Sequence, residues 1–288
     1  MLKDIKIGYI VLHYQAVDET CACVDSLKKV AVEKDIIIIV DNHSPNGSGD
    51  MLCRKFQHDI NIEVILNSEN LGFAKGNNVG YAEAKNKYHC DFIVMLNNDT
   101  LVVQSDFRDR IISAYEKYHF AVMGPKILQK DGTVNPCSPT LPVHTGLRRA
   151  RIGQISNFVR FLLTKFDLDI WFGQLVDKPS DSKDYAWEYR EDIQISGCCF
   201  IFSKEYIDRF EGLNPETFMY LEEIILYMRV KNAGLKIIYN PDIEIVHLED
   251  VATQAAFKGK SRMARRFKYK CQMGSFRVLI RELKGNVK

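Results

Sequence analysis

Phe92-Ile93-Val94-Met95-Leu96-Asn97-Asn98-Asp99-Thr100 is the stretch on which the reading of the fold turns. Five apolar residues without a polar break make a strand covered on both faces, and such strands belong to parallel sheets flanked by helices. Two amides and a carboxylate follow directly. The same order recurs upstream. Residues 5–12 run into His13-Tyr14-Gln15, Ile36-Ile37-Ile38-Ile39-Val40 into Asp41-Asn42-His43-Ser44, and residues 62–66 into Asn67-Ser68-Glu69-Asn70. Segments of helical composition separate these runs, so the first 125 residues predict βαβ units and a parallel sheet. Ligands of open parallel sheets bind outside the carboxyl ends of the strands, where all four polar clusters fall.

Regularity breaks at residues 131–190. Pro136, Pro139, Pro142 and Pro179, a basic patch Arg148-Arg149-Ala150-Arg151 and an aromatic-bearing stretch at 158–172 read as a variable insertion. It resumes with a strand at 193–202, a short helix at 203–210, a helix at 222–233 closed by Gly234, and strands at 237–239 and 243–247. There is no internal repeat.

With 288 residues, 46% hydrophobic and 26% charged, the chain has the composition of a soluble globular protein, large enough for one big domain or one and a half. It contains no run of about 18 apolar residues and does not open on a signal-like segment, which predicts a cytoplasmic location. The eight cysteines, at 21, 23, 53, 90, 137, 198, 199 and 271, form no CxxC pair and read as reduced thiols. The net charge of +2 is uneven: from Phe257 to the end there are eleven Lys/Arg against one Glu, so the tail carries +10 and the remainder −8.

Three strand-end clusters have chemical readings. Asp41 is suited to accept the ring N–H of a uracil or thymine, and equally to close an Asx turn. The segment from Asn67 to Gly80 holds Gly72, Gly76 and Gly80 with four asparagines at a strand-to-helix connection. There a backbone can approach phosphate or ribose and a helix N-terminus favours anions. Its glycine spacing is not GxGxxG, so it is no dinucleotide fingerprint. Asp99 is a candidate oxygen ligand for Mg²⁺ or Mn²⁺, with helix capping as the plainer alternative.

Taken in order, Asp41-Asn42-x-Ser44, Asn70-Leu71-Gly72-Phe73-Ala74-x-Gly76-Asn77-Asn78-x-Gly80 and Leu96-Asn97-Asn98-Asp99 resemble the successive signatures of family 2 glycosyltransferases, which have the GT-A fold. The rhamnosyltransferase-like subset, with Asn-x-Asp in place of Asp-x-Asp, is the nearest. Ser196-Gly197-Cys198-Cys199-Phe200-Ile201-Phe202, the block Gly212 to Glu223, and Arg229 resemble the family's acceptor side. The resemblance implies an α/β GT-A domain over 1–250, with a mixed, mostly parallel central sheet. Its nucleotide-binding half would span about 1–130, the insertion 131–190 and the acceptor half 191–250, before a basic extension at 251–288.

By the same resemblance Asp41, Asn42, Gly72, Phe73, Lys75, Asn77, Asn98 and Asp99 bind the nucleotide sugar, linked to UDP or dTDP. Asp99 and His247 hold Mg²⁺ or Mn²⁺, Gly197 and Cys198 face the acceptor, and Glu223 or Glu222 is the general base. Two positions depart from the family pattern: Ile225 stands where a carboxylate is usual, and Asn214 where Asp is usual. The implied reaction is inverting sugar transfer to a glycan, glycoprotein or lipid-linked acceptor in surface polysaccharide synthesis. A non-catalytic nucleotide-sugar or glycan-binding relative and a sugar nucleotidyltransferase are the alternatives.

In the basic tail, Lys258, Lys260, Arg262, Arg265, Arg266, Lys268 and Lys270 are interleaved with Phe257, Met263, Phe267 and Tyr269, and Phe276, Val278, Leu279 and Ile280 follow. This reads as peripheral contact with the inner face of the cell membrane. The alternatives are a solvated terminal helix or packing against a second copy in a homodimer. No nucleic-acid-binding motif accompanies the charge.

Overall fold

A computed structural model describes residues 4–134, 146–176, 186–248 and 261–285. Of the residues singled out above, Pro136, Cys137, Pro139, Pro142, Pro179, Phe257, Lys258 and Lys260 lie outside the described residues.

Four parallel strands begin the fold: β1 (Ile7–His13), β2 (Ile36–Asp41), β3 (Ile62–Leu66) and β4 (Phe92–Asn97). They follow the four apolar runs to within two residues. Helices α1 (Val17–Lys28), α2 (Ser48–Phe56) and α3 (Gly72–Ala82) connect them. After β4 come β5 (Thr100–Val102), α4 (Phe107–Tyr118), β6 (Val122–Leu128), α5 (Leu147–Leu163) and α6 (Asp169–Val176). The remainder is β7 (Arg190–Glu191), β8 (Cys199–Phe202), α7 (Lys204–Ile207), α8 (Glu222–Asn232), β9 (Ile237–His247) and α9 (Ser261–Gly285).

Among the described residues nine strands form one sheet, ordered β3-β2-β1-β4-β8-β6-β9-β5, with β7 on β9. It is mixed: β8 runs antiparallel to β4 and β6, and β5 antiparallel to β9. Side-chain alternation divides the core between two faces. Tyr9, Val11, Ile37 and Ile39 pack with Val24, Leu27, Phe107 and Ile111 on one side. Ile10, Ile38 and Val40 pack with Tyr81, Phe200, Tyr206 and Leu279 on the other. Each such side chain contributes roughly 1.5–3 kcal/mol when fully buried.

Three sequence expectations are corrected. The strand expected at 193–202 is limited to Cys199–Phe202, because Ser196-Gly197-Cys198 turns into the site and leaves the ladder. The strands expected at 237–239 and 243–247 are one strand through Pro241, whose missing N–H falls beside a register shift against β6 between Pro125 and Lys126. The insertion is not irregular throughout: it contains the 17-residue helix α5.

The basic tail also differs in its packing. Phe276, Val278 and Leu279 are buried in the core, and α9 lies along α5. Asp169, fully buried, accepts Arg265 Nε at 2.7 Å and the Tyr269 hydroxyl at 3.2 Å, while Asp167 pairs with both Arg262 and Arg265. The Arg266 guanidinium lies 4.0 Å from the Phe161 ring centroid. Much of the tail's charge and apolar surface is therefore used within the chain.

Candidate active site

A cavity of about 640 Å³ opens where the sheet changes direction of winding, between the carboxyl ends of β1 and β4. Leu12, Tyr14, Asn42, Asn70 and Asn97-Asn98-Asp99 from the first half of the chain line it together with Ser196-Gly197-Cys198, Phe218-Met219-Tyr220, Glu222, Glu223 and His247 from the second. Of the residues singled out from the sequence, Asn42, Gly72, Phe73, Asn98, Asp99, Gly197, Cys198, Glu222, Glu223 and His247 line this one cavity.

Asp41, Lys75 and Asn77 are not among the lining residues. Asp41 is buried beneath α2, and both its oxygens receive the Ser44 N–H, at 3.3 and 3.2 Å, in an Asx turn. Lys75 is exposed on α3. Asn77 is buried there and donates from Nδ2 to the Phe73 carbonyl at 3.0 Å.

Asn42 fastens the glycine loop. Its Nδ2 donates to Asn70 Oδ1 at 3.1 Å and to the Gly72 carbonyl at 3.0 Å, and its Oδ1 accepts the Leu71 N–H at 2.9 Å. Gly72 itself has φ +79°, and a Cβ there would lie 2.3 Å from the Phe218 carbonyl oxygen. No residue with a side chain fits that position. The close approach lets the Phe73 N–H donate to the same carbonyl at 2.6 Å, tying the loop after β3 to the segment that precedes α8.

Asp99 and His247 are 148 positions apart, yet β5 pairs with β9 so that Thr100 stands opposite His247. Asp99 Oδ1 then lies 3.1 Å from His247 Nε2. Asn98, buried beside them, donates to Thr20 Oγ1 at 3.0 Å and so fixes the turn from α1. Among the described residues no group of three or more His, Cys, Asp or Glu side chains is placed to hold a metal ion. One carboxylate and one imidazole fit an ion that takes the rest of its shell from diphosphate oxygens and water, as Mg²⁺ and Mn²⁺ do at nucleotide sites.

Glu222 and Glu223 open α8 after two consecutive left-handed residues, Tyr220 (φ +73°) and Leu221 (φ +69°). For side chains this size such backbone costs about 1–3 kcal/mol each and recurs at functional sites. Glu222 is buried and its Oε1 has no hydrogen-bond partner. Burial first, then the charge of Glu223, pushes its carboxyl up to about 8. Glu223 is half-buried, and burial raises it too, but the Gly197 N–H bonds to its carboxylate and favours ionisation. A Cβ on Gly197 would meet Glu223 Oε1 at 2.7 Å, so glycine is what admits the carboxylate. Of the two carboxylates, Glu223 is the one whose charged form a neighbouring-segment N–H stabilises. Cys198 is buried, which pushes its thiol up to about 12 and leaves it neutral.

The raised carboxyl of Glu222 has a consequence for stability. Its folded-state value lies above its ordinary 4.5, so the unfolded chain releases this proton first and stability falls as pH rises from about 4.5 to about 8. Glu222→Gln removes the ionisable group. Urea denaturation should show little difference from wild type at pH 4.5 and a gain of roughly a few kcal/mol at pH 8.5. Equal differences at both pH values would show that Glu222 is not held protonated.

Sequence reasoning assigned Phe267 to the tail and missed its place at the cavity. It lies on α9, lines the cavity and meets Phe218 edge-on with ring centroids 6.1 Å apart. Ser275 Oγ donates to the Met219 carbonyl at 3.0 Å, and Asn214 Nδ2 donates to Glu282 Oε1 at 2.9 Å. An Asp at 214 has no hydrogen to donate, so the departure at Asn214 suits a chain that fastens its terminal helix to the cavity wall. Ile225 is buried in the core and is not among the lining residues.

Comparison with known proteins gives the same picture. The family model described as "Glycosyl transferase family 2" matches residues 9–210. The low-salt glycan biosynthesis hexosyltransferase Agl10 of Haloferax volcanii is 23% identical over 256 residues, covering 87% of this chain and 69% of that protein. An N-acetylglucosaminyl-diphospho-decaprenol L-rhamnosyltransferase of Mycobacterium tuberculosis is 22% identical over 231 residues, 76% of this chain and 68% of that one. Among solved structures, S. aureus TarS 1-349 superposes with TM-score 0.54 at 14% identity over 90% of this chain. GalNAc-T7 with UDP, GalNAc and Mn²⁺ gives 0.59 at 11% identity over 86%. The chain spans 64% of the TarS fragment and 44% of GalNAc-T7. These structures share the GT-A fold, with its mixed sheet and flanking helices. The chain belongs to glycosyl transferase family 2.

Proposed function

We propose that this protein is an inverting, metal-dependent glycosyltransferase that moves a hexose or deoxyhexose from a UDP- or dTDP-linked donor to a lipid-linked or other glycan acceptor in surface polysaccharide synthesis. One observation carries the reading: the Asp99–His247 pair and the Glu222–Glu223 pair line a single cavity at the point where the sheet changes winding. The relatives' names agree with it, one a hexosyltransferase of glycan biosynthesis and one a rhamnosyltransferase named for a diphospho-decaprenol. TarS has also been solved in complex with UDP and with UDP-GlcNAc.

In this reading Asp99 and His247 hold Mg²⁺ or Mn²⁺, which neutralises charge on the departing diphosphate. The loop around Gly72 offers backbone to the nucleotide, and Asn42 keeps that loop in place. Glu223, oriented by the Gly197 N–H, takes the proton of the acceptor hydroxyl as that oxygen attacks the anomeric carbon. Glu222, protonated beside it, keeps a second negative charge away from the nucleophile. Phe218 and Phe267 give the acceptor end an apolar wall.

Thermal-shift screening of UDP- and dTDP-linked sugars with Mn²⁺ tests the donor assignment. A donor at 100 times its dissociation constant stabilises the fold by about 2.7 kcal/mol, and its free nucleoside diphosphate should stabilise it too. No shift with any nucleotide sugar would sink the reading.

A further inference from the structure

Helix α5 and the turn after it expose a continuous apolar surface. Ile152, Ile155, Phe158 and Leu162 recur at spacings of three and four, which places them along one side of the helix, and Phe166 and Trp171 continue the surface beyond it. All six are 51–68% exposed. The opposite side of α5 is spent on packing: Ala150 is fully buried and a Cβ on Gly153 would strike the Phe276 ring at 2.5 Å. The stripe is thus a second face, not the core face frayed open.

Its charge identifies the occupant. Residues 147–166 contain Arg148, Arg149, Arg151, Arg160 and Lys165 and no Asp or Glu. The acids that follow, Asp167 and Asp169, are paired with Arg262 and Arg265 of α9. A second copy of the chain seated on this face would bring two such cationic surfaces together, which like-charge repulsion opposes. An anionic lipid surface answers both features at once. Apolar side chains with Phe and Trp among them, flanked by Arg and Lys, make the composition of a helix that lies in a membrane interface. No helix among the described residues is long and apolar enough to cross a membrane, so the contact is along a surface.

We infer that the exposed side of α5, with Phe166 and Trp171, docks this protein onto an anionic lipid surface. Much of the described part of the basic tail is committed within the chain: Phe276, Val278 and Leu279 are buried in the core, and Arg262, Arg265 and Arg266 are engaged with Asp167, Asp169 and Phe161. Docking here holds the cavity beside the bilayer, because α9 joins the two: Arg265 grips Asp167 and Asp169, and Phe267, two residues on, lines the cavity. The inference rests on the proposed lipid-linked acceptor for its purpose, not for its geometry.

Flotation of the full chain with vesicles of about 30% phosphatidylglycerol in phosphatidylcholine, a moderately anionic surface, tests it against vesicles of pure phosphatidylcholine. Wild type should float with the anionic vesicles and not with the neutral ones. Arg148→Gln with Arg151→Gln should weaken partitioning roughly 30-fold, from about fivefold per charge. Phe158→Ser with Trp171→Ser should lose flotation while circular dichroism and the UDP-induced thermal shift stay as in wild type. Wild type that stays unbound, or variants that float as well as wild type, would overturn the inference, as would a dimer in sedimentation that the Phe158→Ser, Trp171→Ser pair dissolves. Transfer to a lipid-linked acceptor in detergent separates the two claims. Activity there without flotation refutes the docking surface alone; flotation without activity refutes the catalytic reading alone.

Discussion

Glu223→Gln is expected to lower kcat for sugar transfer by about 10²–10⁴-fold while UDP affinity stays at the wild-type level. The substitution keeps the size of the side chain and removes only the capacity to accept a proton. Among the described cavity residues Glu223 combines three properties that a base needs. It is half open to the cavity, the Gly197 N–H bonds to its carboxylate and favours the charged form, and its neighbour Glu222, pushed up to about 8, adds no competing charge at neutral pH. The acid limb of the pH–rate profile should accordingly lie above the ordinary carboxylate value of 4.5, since burial raises Glu223. A Glu223→Gln enzyme with wild-type kcat at saturating donor and acceptor would remove Glu223 from the chemistry.

Asp99→Ala is expected to abolish metal-dependent turnover of the donor and leave the fold intact. Asp99 sits at the turn between β4 and β5, and its backbone carbonyl, which receives the Leu248 N–H at 2.9 Å, is unchanged by the substitution. Its carboxylate is the only acid in Asn97-Asn98-Asp99, and His247 Nε2 lies 3.1 Å from it. Removing it leaves a single imidazole, a poor holder of a hard cation. The loss should be largest for donor cleavage, where charge develops on the leaving diphosphate, and circular dichroism should be unaltered.

The parallel half of the sheet was legible because its strands are continuously apolar and end in polar clusters. Local pattern and tertiary environment agree there. β5 and β6 were not read, since Thr100-Leu101-Val102 is too short to show a period and its pairing with β9 spans the chain. That pairing brings His247 to Asp99, so the resemblance supplied the partnership and the register explains it. Gly72 and Gly197 were named for their motifs, but the reasons for glycine, the Phe218 carbonyl and the Glu223 carboxylate, come from distant segments. Asp41 shows the limit of strand-end position as a guide. A carboxylate at the end of a buried strand suits a base contact and an Asx turn equally; the Ser44 N–H shows the turn, and a turn of this kind does not by itself discriminate between the two. The packing of the tail was not legible because amphipathic composition does not say which surface an apolar side meets; Phe276, Val278 and Leu279 of α9 meet the chain's own core.

Calorimetric titration of UDP into wild type and Asp99→Ala, each with Mn²⁺ and with EDTA, tests most directly the claim that this cavity is a metal-assisted nucleotide-sugar site. The account predicts saturable binding to wild type with Mn²⁺, much weaker binding in EDTA, and an Asp99→Ala protein whose weak binding no longer responds to the metal. Equal UDP affinity in all four titrations, with every sample folded, would contradict it.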